Sequence, residues 1–181
     1  MTKVKVATAA LAGCFGCHMS ILDIDERLLE LLDSVEFDKS PINDIKDFTT
    51  RCDVGIIEGA CANEENVHVL RRFREMCDVL ISLGDCAVMG GVCAMRNGLS
   101  LGSCMDEAYR NGPTVHNPSN RLPSDPELPL LLDKVVPCHE VVKIDLHLPG
   151  CPPSAEAIWT VLGQLVRGEE VALGPELIRY D

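Results

Sequence analysis

Four times along this chain a short apolar run rich in β-branched residues stops at a glycine and an amphipathic stretch follows. That repeated order restricts the fold to strand, loop and helix units wound into a parallel sheet by right-handed crossovers. Val4 to Leu11 stops at Ala12-Gly13, Asp53 to Glu58 at Gly59, and Val79 to Leu83 at Gly84-Asp85. Val141 to Leu148 runs into Pro149-Gly150. Between them, Ile21, Leu22, Ile24, Leu28, Leu29, Leu31 and Leu32 recur at helical spacing from His18 to Asp33-Ser34. Val67, Leu70, Phe73 and Met76 oppose Arg71, Arg72, Arg74 and Glu75, and two further helices are predicted over about 90–98 and over Ser154 to Val166.

Residues 104–138 break the rhythm. Six of the 11 prolines lie there, with Asn111-Gly112 and Asn117-Pro118 between them. This predicts an irregular excursion that docks a partner, with a short helix at Leu128 to Val136. With no internal repeat and no linker, residues 1–181 read as one domain, an α/β three-layer unit.

Charge narrows the function. With 16 Lys+Arg against 28 Asp+Glu the net charge is -12, which repels phosphate backbones and anionic lipid. Nucleic acid and membrane are therefore not expected partners. The chain lacks the roughly 18 to 20 consecutive apolar residues of a span, and its start enters an alternating strand pattern, so the expected location is cytoplasmic. Ten cysteines in a reducing compartment point to thiols, metal ligands or redox catalysis.

Cys14 and Cys17 follow the first strand, Cys86 the strand ending at Gly84-Asp85, and Cys151 the last strand. Parallel topology returns every strand end to one edge, so these four thiols converge there, with Cys61 as a fifth. A [4Fe-4S] cube takes four thiolates, and glycines at 13, 16 and 150 let backbone N–H groups approach its sulfides. A Cys-x-x-Cys dithiol, a zinc site and plain core thiols stay open on these residues alone. Cys52, Cys77 and Cys138 read as plain thiols. His18 reads as a helix-start residue, and the other four histidines lack metal-binding companions.

Gly13-Cys14-x-Gly16-Cys17, Glu58-Gly59-Ala60, Gly84-Asp85-Cys86-Ala87-x-x-Gly90-Gly91 and Leu148-Pro149-Gly150-Cys151-Pro152-Pro153 span nearly the whole chain. Together they resemble the small subunit of [NiFe] hydrogenases and the related cluster-bearing subunit of respiratory complex I. Ending one helix after Gly-Cys-Pro-Pro, the chain is most similar to the small subunits of soluble NAD-reducing enzymes. The complex I relative carries adjacent cysteines at the first position, whereas two residues separate Cys14 from Cys17 here.

The resemblance implies a flavodoxin-like fold and Cys14, Cys17, Cys86 and Cys151 as ligands of one [4Fe-4S] cluster. Cys93 is the rival third ligand. Glu58 is implied as a polar residue near the cluster or at the interface with the large subunit, against the alternative of a solvated cap. No catalytic residue is expected in this chain. The Ni-Fe centre is expected in a large-subunit partner, and FMN with further Fe-S clusters in diaphorase subunits, so that electrons pass from H2 to NAD+. The alternatives are a complex I-like quinone oxidoreductase subunit, a flavodoxin-like carrier holding FMN in this chain, and a Cys-x-x-Cys thiol oxidoreductase.

Overall fold

A computed structural model describes residues 3–178 and 180; Met1, Thr2, Arg179 and Asp181 of the single 1–181 domain read from the sequence lie outside the described residues. The centre is a five-stranded parallel sheet built from β1 (Val4–Ala10), β2 (Val35–Phe37), β3 (Cys52–Glu58), β5 (Cys77–Leu83) and β7 (Leu146–Leu148). Its order is β2-β1-β3-β5-β7, and every neighbouring pair is parallel. Counting only these five strands in chain order gives 2-1-3-4-5, the flavodoxin arrangement, whose direction of winding reverses between β1 and β3. The α/β class and flavodoxin-like order expected from the sequence are therefore present.

Helices cover both faces. On one, α1 (Gly16–Leu22), α2 (Arg27–Ser34) and α6 (Ala155–Val166) bury Ile21, Leu31, Ile158 and Val161, with Ile24 from the turn between α1 and α2, against Val6, Val54, Ile56 and Ile81. On the other, α3 (Glu64–Met76) presses Leu70 and Phe73 against Ala7, Ala9, Ile57 and Leu80. Ile56 and Ile57 in β3 thus feed opposite cores, which is why the middle of the strand is apolar on both faces, without alternation. Asn63 starts α3 by accepting the Asn66 N–H at 2.8 Å, and Ser154 starts α6 by accepting the Ala157 N–H at 3.2 Å.

Several elements differ from expectation. The helix predicted over 18–33 is two helices, because Asp25 takes a left-handed φ of 57° and turns the chain between them. The one predicted over about 90–98 is a 3-10 helix, Gly91–Gly98; α4 (Asp85–Met89), which the sequence did not suggest, precedes it, and Gly90 and Gly91 at positive φ turn the chain between the two. The predicted helix at 128–136 is a strand. β6 (Leu131–Val136) pairs antiparallel with β4 (Cys61–Asn63), and this backbone pairing outweighs the local helical spacing of its leucines. The strand expected over 141–148 is only β7, preceded by a short 3-10 turn at Cys138–Glu140.

The chain beyond the first 3-10 helix passes through α5 (Leu101–Asp106) and a π-helical turn, Glu107–Asn111, before a run of bends and turns. It returns to the place it left. Asn97 donates to the Val135 carbonyl at 2.7 Å and accepts the Val135 N–H at 2.8 Å, while Arg96 donates to the carbonyls of Leu132 and Asp133.

Candidate metal centre

The carboxyl ends of β1, β3, β5 and β7 open onto one cavity at the β1/β3 switch point. It is lined by Cys14, Cys17, Cys86 and Cys151, together with Glu58, Asp85, Pro152 and four glycines. Cys14 and Cys151 are exposed at its mouth and Cys17 and Cys86 are half-buried. The structure thus brings together the four thiols that the sequence places at strand ends.

The rim is shaped by backbone that most side chains would forbid. Leu11 N–H donates to the Glu58 carbonyl, and Ala12 and Ala60 exchange two hydrogen bonds of 3.0 and 2.8 Å, locking the loop after β1 to the loop after β3. Gly59 makes that lock possible with φ +83°, since a Cβ there would lie 2.8 Å from the Ala12 carbonyl oxygen. Phe15 takes φ 67° at the start of α1, and the Gly16 N–H then faces Cys14 Sγ at 3.4 Å. Gly84 leaves room for a thiol: a Cβ on it would sit 2.3 Å from Cys17 Sγ.

Two further contacts tie the loops into one frame. Ser20 in α1 donates its hydroxyl to the Pro153 carbonyl at 2.5 Å, joining the Cys14–Cys17 segment to the Cys151 loop. Gly84 N–H donates to the Leu148 carbonyl at 2.8 Å, joining the ends of β5 and β7.

Glu58 is 2% exposed, so it is not a solvated cap. Its Oε2 accepts the His18 N–H at 2.9 Å and its Oε1 lies 3.2 Å from His18 Nδ1. His18 is fully buried, stacked on Phe15 with ring centroids 4.6 Å apart, and its Nε2 meets Thr8 Oγ1 at 2.9 Å. Thr8 Oγ1 in turn meets Ser40 Oγ at 2.7 Å. This polar row from the cavity into the sheet is what sequence reasoning missed. Only its Glu58 end stood out in the sequence; Thr8 at the centre of an apolar strand was a further signal.

The other cysteines lie elsewhere. Cys93 is not among the cavity-lining residues; it sits behind Cys86 and donates its thiol to the Ala12 carbonyl at 3.2 Å. Cys61 and Cys138 are fully buried beneath the rim, and Cys138 points its thiol at the Gly59 carbonyl. Cys52 and Cys77 are in-register partners at the far ends of β3 and β5.

The donor set fits a four-iron cluster: four thiols around one cavity suit a cube that gives each thiolate its own iron. Burial, and then the Glu58 carboxylate, push the Cys17 thiol up, and burial with the adjoining Cys93 thiol raises Cys86. Such thiols ionise when a cationic group binds them, releasing their protons.

Residues 14–165 match the family of the NADH ubiquinone oxidoreductase 20 Kd subunit. The chain is 50% identical over 180 residues to the NAD-reducing hydrogenase HoxS subunit delta of Cupriavidus necator, covering 99% of this chain and 86% of that one. It is 39% identical over 173 residues to a subunit of the F420-non-reducing hydrogenase of Methanothermobacter marburgensis, covering 94% of this chain and 56% of that protein. A chain in the crystal structure of an NAD+-reducing [NiFe]-hydrogenase in the H2-reduced state superposes with a TM-score of 0.95 at 47% identity, covering 99% of this chain and 100% of that one. The [NiFeSe] hydrogenase of Desulfovibrio vulgaris Hildenborough shares the fold, with a TM-score of 0.57 at 14% identity, over 92% of this chain and 60% of that one. By the span of the first match and the identity to the Cupriavidus protein, the chain belongs to the NADH ubiquinone oxidoreductase 20 Kd subunit family.

Proposed function

We propose that this chain is the electron-relaying small subunit of an NAD-reducing [NiFe] hydrogenase, with Cys14, Cys17, Cys86 and Cys151 as the ligands of one [4Fe-4S] cluster. The observation that carries the reading is the convergence of these four thiols, from the segments that follow three separate strands, on one cavity at the switch point of the sheet. Similarity to the NAD-reducing hydrogenases supports the reaction, H2 + NAD+ → NADH + H+.

Bound at this site, the cluster supplies one-electron storage and transfer at a potential set by its surroundings. The protein's own residues do the rest. The four thiols give up their protons on assembly, and the Gly16 N–H offers a hydrogen bond to the Cys14 sulfur. Exposure of Cys14 and Cys151 leaves the cavity mouth open toward a partner, which we assign to the large subunit carrying the Ni-Fe centre. Electrons leaving the site pass to a diaphorase with FMN and Fe-S clusters. The complex works in the cytoplasm; among the described residues no helix is long and apolar enough to cross a membrane.

A thiol-disulfide oxidoreductase would use Cys14 and Cys17 alone and leaves Cys86 and Cys151, which line the same cavity, without a role. The first loop, residues 11–17, also has no Ser or Thr to hold an FMN phosphate. The test is anaerobic reconstitution of the full chain with ferrous iron and sulfide. Uptake of about four irons and four sulfides, with broad visible absorption that bleaches on reduction, is expected. A colourless, iron-free protein overturns the reading.

A further inference from the structure

Asp85 is buried, 4% exposed, and lines the thiol cavity between Cys86, its neighbour in sequence, and Cys151. Its Oδ1 accepts the Gly150 N–H at 2.7 Å, and its own N–H donates to the Gly150 carbonyl at 3.0 Å. The residue before Cys86 is therefore bonded twice to the residue before Cys151. Oδ2 is buried with no hydrogen-bond partner, and among the described residues the carboxylate forms no ion pair.

A carboxylate held this way does more than tie two loops. Among the described residues no cation lies within ion-pair distance of it, and inside a protein a fixed charge acts at a lower effective dielectric than in water. The clamp alone would be served by a neutral acceptor. The Asn side chain has nearly the same shape and carries the same carbonyl oxygen, so the charge itself calls for an explanation. A negative charge beside an electron-accepting site opposes the incoming electron.

We infer that Asp85 is a positioning residue that fixes the Cys86 and Cys151 loops relative to each other and, through the charge on its unpartnered oxygen, holds the reduction potential of the site low. The inference rests on the cluster reading above. Its consequence is a relay poised to pass electrons onward to a low-potential acceptor.

The test uses the full chain reconstituted anaerobically, with the midpoint read by redox titration of the visible and EPR signals. Asp85→Asn keeps the Oδ1 acceptor and removes the charge. It should hold iron at the wild-type level and shift the reduction equilibrium at least tenfold toward the reduced form, about 59 mV more positive for one electron. Asp85→Ala removes the acceptor as well, and its iron content should fall. If the Asn variant does not accumulate folded, Asp85→Ser must show the same upward shift, since it also lacks the charge. An unchanged midpoint in the charge-free variant that folds overturns the electrostatic role, and full iron retention in Asp85→Ala overturns the positioning role. A wild-type chain that takes up no iron overturns the cluster reading itself, a result distinct from either.

Discussion

The molecule holds cysteines in two settings, and the contrast between them separates chemistry from packing. Cys52 and Cys77 sit side by side in regular strands, each 1% exposed, among Ala, Leu and Phe side chains. Cys14 and Cys151 sit in loops and Cys17 and Cys86 in the first turns of α1 and α4, next to backbone bent by Phe15, Gly84, Gly91 and Gly150 at positive φ. The first pair satisfies the sheet and costs nothing in conformation. The second set is held by turns that need positive φ, which glycine adopts freely and which costs energy only at Phe15 among these four. Burial alone does not separate the two, since it pushes thiols up in both, to about 12 for Cys52 and for Cys77. Backbone geometry does.

The largest effect that separates the two settings is on iron content. Cys17→Ser and Cys151→Ser should each abolish stable uptake in anaerobic reconstitution, whereas Cys52→Ala should retain it. Cys86→Ser should lose iron and Cys93→Ser keep it; the opposite pattern would make Cys93 the third ligand. Next comes Gly84→Ala. Its Cβ would strike Cys17 Sγ and its φ is +82°, so it should lower iron occupancy and cost about 1–3 kcal/mol in urea unfolding. The matching change in the packed setting is Gly55→Ala, whose Cβ would lie 2.8 Å from Cys77 Sγ and from Leu80 Cδ1. Overpacking there should also cost about 1–3 kcal/mol, with iron content unchanged. Loss of iron in this variant would erase the distinction.

The smallest effect is a pH dependence. Cys52 and Cys77 ionise at about 12 in the fold against an ordinary 9.0. Because the folded values are raised, the unfolded chain loses these protons first, and their contribution to stability is complete below pH 9 and declines from there toward pH 12. The urea midpoint should fall across that window, and less steeply in Cys52→Ala.

The sheet was legible because each of its long strands is a dense apolar run that ends at glycine, a pattern that β1, β3 and β5 repeat. Convergence of the four thiols followed from parallel topology alone. β2 and β4 are three residues each, too short to show a period, and β6 owes its strand conformation to pairing with β4, far away in the sequence. The break at Asp25 depends on a left-handed residue that is not glycine, which local composition does not announce. At the site, the cysteines and glycines stood out by type and position. The clasp of His18 on Glu58 did not, because it joins residues 40 apart through a ring nitrogen and a backbone amide.

The Asn97 side chain, bonded to Val135 through both its donor and its acceptor, works as a knot at the base of the proline-rich stretch. Whatever the intervening chain does, its two feet stay planted at the same distance. Because loop closure depends only weakly on contour length, residues can be inserted or removed between those feet at small thermodynamic cost. That makes the stretch a natural place for relatives to differ in size, and for an affinity tag or a fluorophore to be grafted without disturbing the sulfur-bearing rim.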